Sequence, residues 1–142
     1  MGTLTTGSCS FCFVSASIHI LVATDNDTTF EEVDAALGDA NTSLTHLRAG
    51  AQVRPMVSSG APDLVVCDLQ IGSMGGVAIS LDLRAEEGAG RLPRVPILLL
   101  CDREADRFIA ERSGADAWLF KPLEALELRT ATDQLLAGAL QR

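Results

Sequence analysis

Four apolar runs in the chain each end on a polar or charged residue. Ile20-Leu21-Val22-Ala23 stops at Thr24-Asp25, and Leu64-Val65-Val66-Cys67 at Asp68. Ile97-Leu98-Leu99-Leu100 stops at Cys101-Asp102, and Trp118-Leu119-Phe120 at Lys121-Pro122. Short continuous apolar runs bounded by turn signals read as strands buried on both faces, the pattern of a parallel sheet covered by helices. A weaker alternation over 43–48 adds an edge strand. Between the strands the spacing turns helical. Thr28 and Glu31 form a capping box, and Phe30, Val33, Ala36 and Leu37 then share one face up to Gly38. A short helix runs to Ser59, disturbed by Pro55 and ended by Gly60-Ala61-Pro62-Asp63.

After the strand 64–67, a turn rich in glycine (Gly72, Gly75, Gly76) leads to a helix marked by Val77, Ile79, Leu81 and Leu83 and reaching Glu87. A loop over 88–95 carries Pro93, with Pro96 just after it. The strand 97–100 is followed by a helix over 104–113 whose Phe108 and Ile109 are expected to point inward. Gly114-Ala115-Asp116 turns into the strand Ala117–Phe120. The last helix, 123–140, carries Leu128, Leu135, Leu136 and Leu140. Five strand–helix pairs in alternation predict one doubly wound α/β sandwich over 18–142, preceded by a disordered extension over 1–17. In such sheets, ligands bind outside the carboxyl ends of the strands. Asp25, Asp68, Cys101 and Lys121 therefore face one crevice, suited to a cation and an oxyanion.

Composition narrows the function. A chain of 142 residues can build a core without staples. A net charge of −8 argues against non-specific nucleic-acid binding, which needs basic surface. Four cysteines do not make a disulfide framework, and Cys9-Ser10-Phe11-Cys12 has no second ligand pair for zinc. The leader has no Lys or Arg ahead of its apolar part, and no apolar run approaches the ~20 residues that span a bilayer. A cytoplasmic protein without membrane attachment is expected.

These residues, in this order, resemble the receiver domain of two-component response regulators, the CheY-like family. The likeness covers about 18–140. Pro62-Asp63-Leu64-Val65-Val66-Cys67-Asp68-Leu69 is similar to the segment holding the phosphoaccepting aspartate, and Val95-Pro96-Ile97-Leu98-Leu99-Leu100 to the fourth strand. Gly114-Ala115-Asp116-Ala117-Trp118-Leu119-Phe120-Lys121-Pro122 is the most specific match, to the last strand and its Lys-Pro turn. The resemblance implies a flavodoxin-like sheet of order 2-1-3-4-5, in which Asp25 and Asp68 meet at the switch point. It implies that Asp68 takes a phosphoryl group from a histidine kinase or phosphotransfer protein. Asp25, Asp68 and the backbone carbonyl of Gln70 would hold Mg²⁺, and Lys121 would pair with a phosphoryl oxygen. Hard oxygen ligands suit that ion.

Three positions depart from the family's pattern. Two adjacent acids usually follow the first strand, but here Thr24 precedes a single Asp25, so Mg²⁺ is expected to bind weakly. The fourth strand usually ends in Thr or Ser, whose hydroxyl bonds the phosphoryl group. Cys101 is a poorer donor, and a redox role for it is opposed by acidic neighbours that raise a thiol's pKa. The next residue is usually small. Asp102 is larger and charged: a gate that repels phosphate, a helix cap, a solvated acid, or a substitute for the acid missing at position 24. Trp118 stands where the family has an aromatic residue that swings between rotamers, although simple packing explains it equally. The side chain of Gln70 would tune access to Asp68.

Two functions follow. One is a stand-alone response regulator, with no catalysis beyond self-phosphorylation and self-dephosphorylation of Asp68. The chain ends soon after the last helix, so output is expected through an unknown protein partner or a homodimer, using the face formed by 104–113, 117–120 and 123–140. The other is a pseudo-receiver, the same fold used as a binding or dimerisation module without phosphorylation. A haloacid-dehalogenase-type enzyme needs a second acid where Gln70 stands. A flavin binder needs a phosphate-cradling loop where Asp25 and Asp27 put negative charge.

Overall fold

Five parallel strands form one sheet: β1 (Ile18–Ala23), β2 (Thr42–Leu47), β3 (Leu64–Asp68), β4 (Ile97–Cys101) and β5 (Ala117–Phe120). Their spatial order is β2-β1-β3-β4-β5, so the chain reverses direction across the sheet between β1 and β3. The connecting helices are α1 (Asp27–Leu37), α2 (Val53–Gly60), α3 (Gly76–Gly88), α4 (Arg107–Arg112) and α5 (Ala125–Leu140). The computed structural model describes residues 17–72 and 74–140. Of the expected N-terminal extension only Ser17 falls within them, so Cys9 and Cys12 lie outside the described residues.

Alternation along each strand divides the core in two. Leu21, Val65, Cys67, Leu99 and Cys101 face one side, with Val53 and Val57 of α2, Ile79 and Leu83 of α3, and Ala110 of α4. Ile20, Val22, Leu64, Val66, Leu98 and Leu100 face the other, with Val33, Ala36 and Leu37 of α1 and Leu128 of α5. Burial on both faces is why β1, β3 and β4 read as unbroken apolar runs.

Several local expectations differ from the structure. The Thr28–Glu31 capping box is not the cap of α1. Asn26 Oδ1 accepts the backbone N–H groups of Thr28 and Thr29 instead, a stronger solution because Asn26 has the extended backbone that a cap requires. Pro55 does not disturb α2. It occupies the third helical position, where a missing N–H costs no hydrogen bond. In α3, whose inward face the sequence left open, Leu81 is 53% exposed, because residues spaced by two cannot share a helical face. The buried set is Gly76, Ile79, Ser80 and Leu83.

The largest difference is at α4. A 3₁₀ turn, Glu104–Asp106, precedes the helix, and Asp106 folds back to accept the Arg103 N–H at 3.0 Å. That turn sets the helical phase so that Asp106, Ala110 and Ser113 face inward, small residues at helical spacing that let the helix approach the sheet. Phe108 and Ile109 consequently point outward, 60% and 47% exposed, and the Arg112 guanidinium lies 4.0 Å over the Phe108 ring.

The amino ends of β4 and β5 are tied to α3 by one half-buried cluster. Arg84 donates to Glu87, to Asp116, and to the carbonyls of Gly114 and Val95. Asp116 in turn accepts the Ile97 N–H and Arg94, which fixes where β4 starts relative to β5. Removing the guanidinium would leave Glu87 and Asp116 with the more exposed Arg94 and would free the Gly114 and Val95 carbonyls. Arg84→Met should therefore lower unfolding free energy by about 2 kcal/mol in urea titration. Arg48→Met, which removes an exposed pair with Asp27, should leave the midpoint unchanged.

Candidate functional site

Strand register builds the site. Ala23 pairs with Cys67, which brings the next residues, Thr24 and Asp68, level at the carboxyl ends of β1 and β3. Asp68 pairs with Leu100, and Cys101 with Phe120, so Lys121 leaves β5 beside the same end of the sheet. Its backbone N–H binds the Cys101 carbonyl at 2.8 Å, and the Lys121-Pro122 peptide is cis.

Asp68 is 3% exposed, and both its oxygens are engaged. Lys121 Nζ lies 3.0 Å from Oδ1 and 3.0 Å from Oδ2, and the Thr24 hydroxyl donates to Oδ2 at 3.0 Å. Lys121 is the only lysine in the chain. Its ammonium also lies 3.2 Å from Asp102 Oδ1. Burial acts to lower the Lys121 pKa, but the hydrogen bond and charge of Asp68, and then those of Asp102, outweigh it and hold the ammonium above its ordinary value.

Asp25 stands apart from that cluster. It is exposed, and its Oδ2 accepts the Gly72 N–H at 3.0 Å. Gly72 has φ of +23°, a conformation open to glycine. Asp25, Gln70 and Gly72 line one open groove with Leu69, Ile71 and Gly75. Gly75 and Gly76 let α3 start directly against β3, since a Cβ on either would collide with the backbone of Leu69 or Asp68.

The structure thus joins Thr24, Asp68, Asp102 and Lys121 through direct contacts, with Asp25 and Gln70 in the neighbouring groove. Cys101 is fully buried in the core on the α2–α4 side, and Trp118 packs partly buried against that core. Asp102 does not cap the helix that follows: that turn is capped by Asp106, and Asp102 pairs with Lys121. Two positioning residues gave no sequence signal. His46 stacks on Phe30 with ring centroids 4.3 Å apart and donates to the Thr24 carbonyl at 2.9 Å. Asn26, besides capping α1, gives its N–H to the Thr24 hydroxyl oxygen at 3.1 Å, which aims the hydroxyl proton at Asp68.

The response regulator receiver domain model matches residues 20–133. The chain belongs to that family. This receiver domain is 31% identical over 112 residues to the DNA-binding response regulator MtrA of Mycolicibacterium smegmatis, covering 78% of this chain and 46% of that one. It is 25% identical over 120 residues to the TorCAD operon transcriptional regulatory protein TorR of Escherichia coli, covering 83% and 50%. The chain spans about half the length of the curated relatives it matches. Among solved structures, the receiver domain of a signal transduction histidine kinase from Syntrophus aciditrophicus superposes with a TM-score of 0.76 at 26% identity, covering 86% of this chain and 92% of that one. The receiver domain of the sensor histidine kinase PA1611 from Pseudomonas aeruginosa, which holds a magnesium ion in its active-site cleft, shares the fold with a TM-score of 0.75 at 23% identity over 86% of this chain and 99% of that one. The receiver domain is thus a two-component signalling module, and among the described residues no helix is long and apolar enough to cross a membrane.

A magnesium ion takes hard oxygen ligands, commonly one or two carboxylates completed by phosphate and water. The donor set here fits that minimum. Asp25 is exposed at the groove it shares with Gln70. Asp68 Oδ1 has one hydrogen-bond donor and so keeps a lone pair. The set is one acid short of the usual pattern, and no group of three or more acidic, histidine or cysteine side chains suited to a metal occurs among the described residues.

Both core thiols are held neutral. Burial above all, then the charges of Asp106, Asp102 and Asp68, push Cys101 up to about 11 from 9.0. Burial likewise pushes Cys67 up to about 12, with the charge of Asp68 adding to it. A folded-state pKa above the unfolded one gives stability that is complete below the unfolded value and lost as pH rises through the folded value. The chain has no tyrosine to titrate in this range. The urea midpoint should therefore be flat from about pH 7 to about pH 9 and fall above it. Replacing both thiols, Cys67→Ala with Cys101→Ala, should lower stability at neutral pH but remove the first part of that fall.

Proposed function

We propose that this receiver domain accepts a phosphoryl group on Asp68 and signals by binding a protein partner. The observation that carries the reading is the buried Asp68 carboxylate at the end of β3, held by the chain's only lysine. In the reaction, an Asp68 oxygen forms a bond to phosphorus while the bond from phosphorus to a donor imidazole breaks. The imidazole nitrogen leaves with the electron pair and takes a proton, and Asp68 becomes an acyl phosphate. The Lys121 ammonium supplies fixed positive charge beside the transferring oxygens, and the Thr24 hydroxyl holds the second Asp68 oxygen in place.

Asp25, Asp68 and the Gln70 carbonyl would hold magnesium, which when bound neutralises negative charge between carboxylate and phosphoryl group. With Thr24 in place of an acid, affinity for the ion is lower than two adjacent carboxylates would give. A histidine kinase or phosphotransfer protein is the donor in this reading, and self-phosphorylation from a small donor and self-dephosphorylation are its only catalysis. The DNA binding named for MtrA belongs to a protein of which this chain spans under half. For these residues, the charge of −8 supports a protein partner.

Mass spectrometry after exposure to acetyl phosphate and Mg²⁺ tests the reading. One phosphoryl group should appear on the peptide containing Asp68, and none on Asp68→Asn. If neither protein is modified with acetyl phosphate or with a phosphorylated kinase domain, the pseudo-receiver reading takes its place. The full burial of Cys101, where a hydroxyl would face the phosphoryl group, is the observation that favours that alternative.

The output surface in this reading is the face of α4, β5 and α5. Phe108, Ile109 and Leu126 are exposed there, Leu126 by 76%, and the Arg107 guanidinium lies 5.2 Å over Phe120 of β5. Phe108→Glu with Leu126→Glu should abolish self-association or partner capture in size-exclusion light scattering while leaving circular dichroism unchanged. Loss of association through Glu31→Lys and Glu32→Lys on α1 instead would assign the surface to the other side.

A further inference from the structure

Lys121 has three ammonium hydrogens and three carboxylate oxygens around it: both of Asp68 at 3.0 Å and Oδ1 of Asp102 at 3.2 Å. None is left for a phosphoryl oxygen. The other departure in the site is complementary. At Thr24 an acid is missing on the Asp25 side of Asp68, and at Asp102 an acid has been added on the Lys121 side. Two carboxylates, Asp68 and Asp102, face one ammonium, while Asp25 stands apart on the Gly72 N–H.

Among the described residues, Asp102 forms no other ion pair. The turn that follows is capped by Asp106, whose other oxygen also takes the Arg103 guanidinium at 3.4 Å. The side chain of Asp102 is 38% exposed, so water weakens its pairing with Lys121 and leaves it breakable. Such a contact is a competitor, not a permanent lock. Resting on the phosphoacceptor reading of Asp68, we propose that Asp102 is a positioning residue that holds Lys121 as a tethered anion, in competition with the phosphoryl group. A phosphoryl group on Asp68 gains Lys121 only as Asp102 releases it, so Asp102 sets how tightly the site holds its phosphoryl group.

The test uses the 142-residue chain with Mg²⁺ and beryllium trifluoride, which coordinates a carboxylate oxygen and presents three fluorines where phosphoryl oxygens would lie. Affinity is read by fluorine NMR for the parent, Asp102→Asn and Asp102→Glu. Removing one unit charge at this range, screened by solvent, should tighten binding about ten-fold in Asp102→Asn. Asp102→Glu, which restores the carboxylate, should bind like the parent. A merely structural role would weaken binding in Asp102→Asn. Equal or weaker binding in that variant overturns the role of Asp102 while the phosphoacceptor reading stands. Absence of binding in all three proteins overturns both. The pairing has an independent readout, because ¹⁵N-lysine labelling gives a single side-chain ammonium resonance. That resonance should shift in Asp102→Asn and return toward the parent position in Asp102→Glu, and no shift would show that the pair does not form in solution.

Discussion

The contact between Lys121 and Asp68 is the constraint around which the carboxyl end of the sheet is organised. A carboxylate that is 3% exposed cannot stay charged in an apolar surround without compensating donors. Three donor contacts meet it, two from one ammonium and one from a hydroxyl, and they come from the ends of β5 and β1. Satisfying Asp68 therefore requires three strands to end together. The register of β1, β3, β4 and β5 achieves this, and the Arg84–Asp116 cluster at the opposite end of β4 and β5 holds that register.

Why the sheet was readable and parts of its cover were not has a physical basis. Strands buried on both faces carry their signal in every residue, so Ile20 to Ala23 and Leu64 to Cys67 needed no periodicity argument. Edge strand β2, with only Leu47 buried, showed a weak alternation for the same reason. Helix faces depend on phase, and phase is set by the first turn. At α4 the 3₁₀ turn closed by Asp106 rotated the helix, and no apolar pattern records that. Phe108 and Ile109 looked like core because large apolar residues commonly are; here Ala110 takes that place.

The site was legible in its residues but not in its connections. Asp68 and Lys121 announced themselves by standing at strand ends. That Thr24 is a donor to Asp68, and not merely a lost acid, depends on its hydroxyl being oriented by the Asn26 N–H. That Asp102 reaches Lys121 depends on a loop whose conformation is fixed by Asp106, four residues away in sequence. Partners of this kind arise from backbone geometry between elements, which residue spacing along one segment does not encode.

In the proposed phosphoacceptor reading, these connections are the route by which an event at Asp68 would reach the surface. The usual hydroxyl at the end of the fourth strand is absent, and Cys101 is sealed in the core with its thiol held neutral. Lys121, by contrast, is the covalent neighbour of Phe120, and its backbone N–H is bonded to the Cys101 carbonyl. A displacement of its ammonium would act on the end of β5 through the chain and on β4 through that hydrogen bond. From Phe120 the contact to the Arg107 guanidinium leads onto α4, where Phe108 and Ile109 face solvent. A packed interior transmits displacement where it has two discrete arrangements. The structure shows one arrangement, Lys121 on Asp68 with Asp102 beside it; the proposed second has Lys121 drawn to the anion that Asp68 would carry. The strand that bears the lysine, not the strand that bears the thiol, is the element that both ends of this path share.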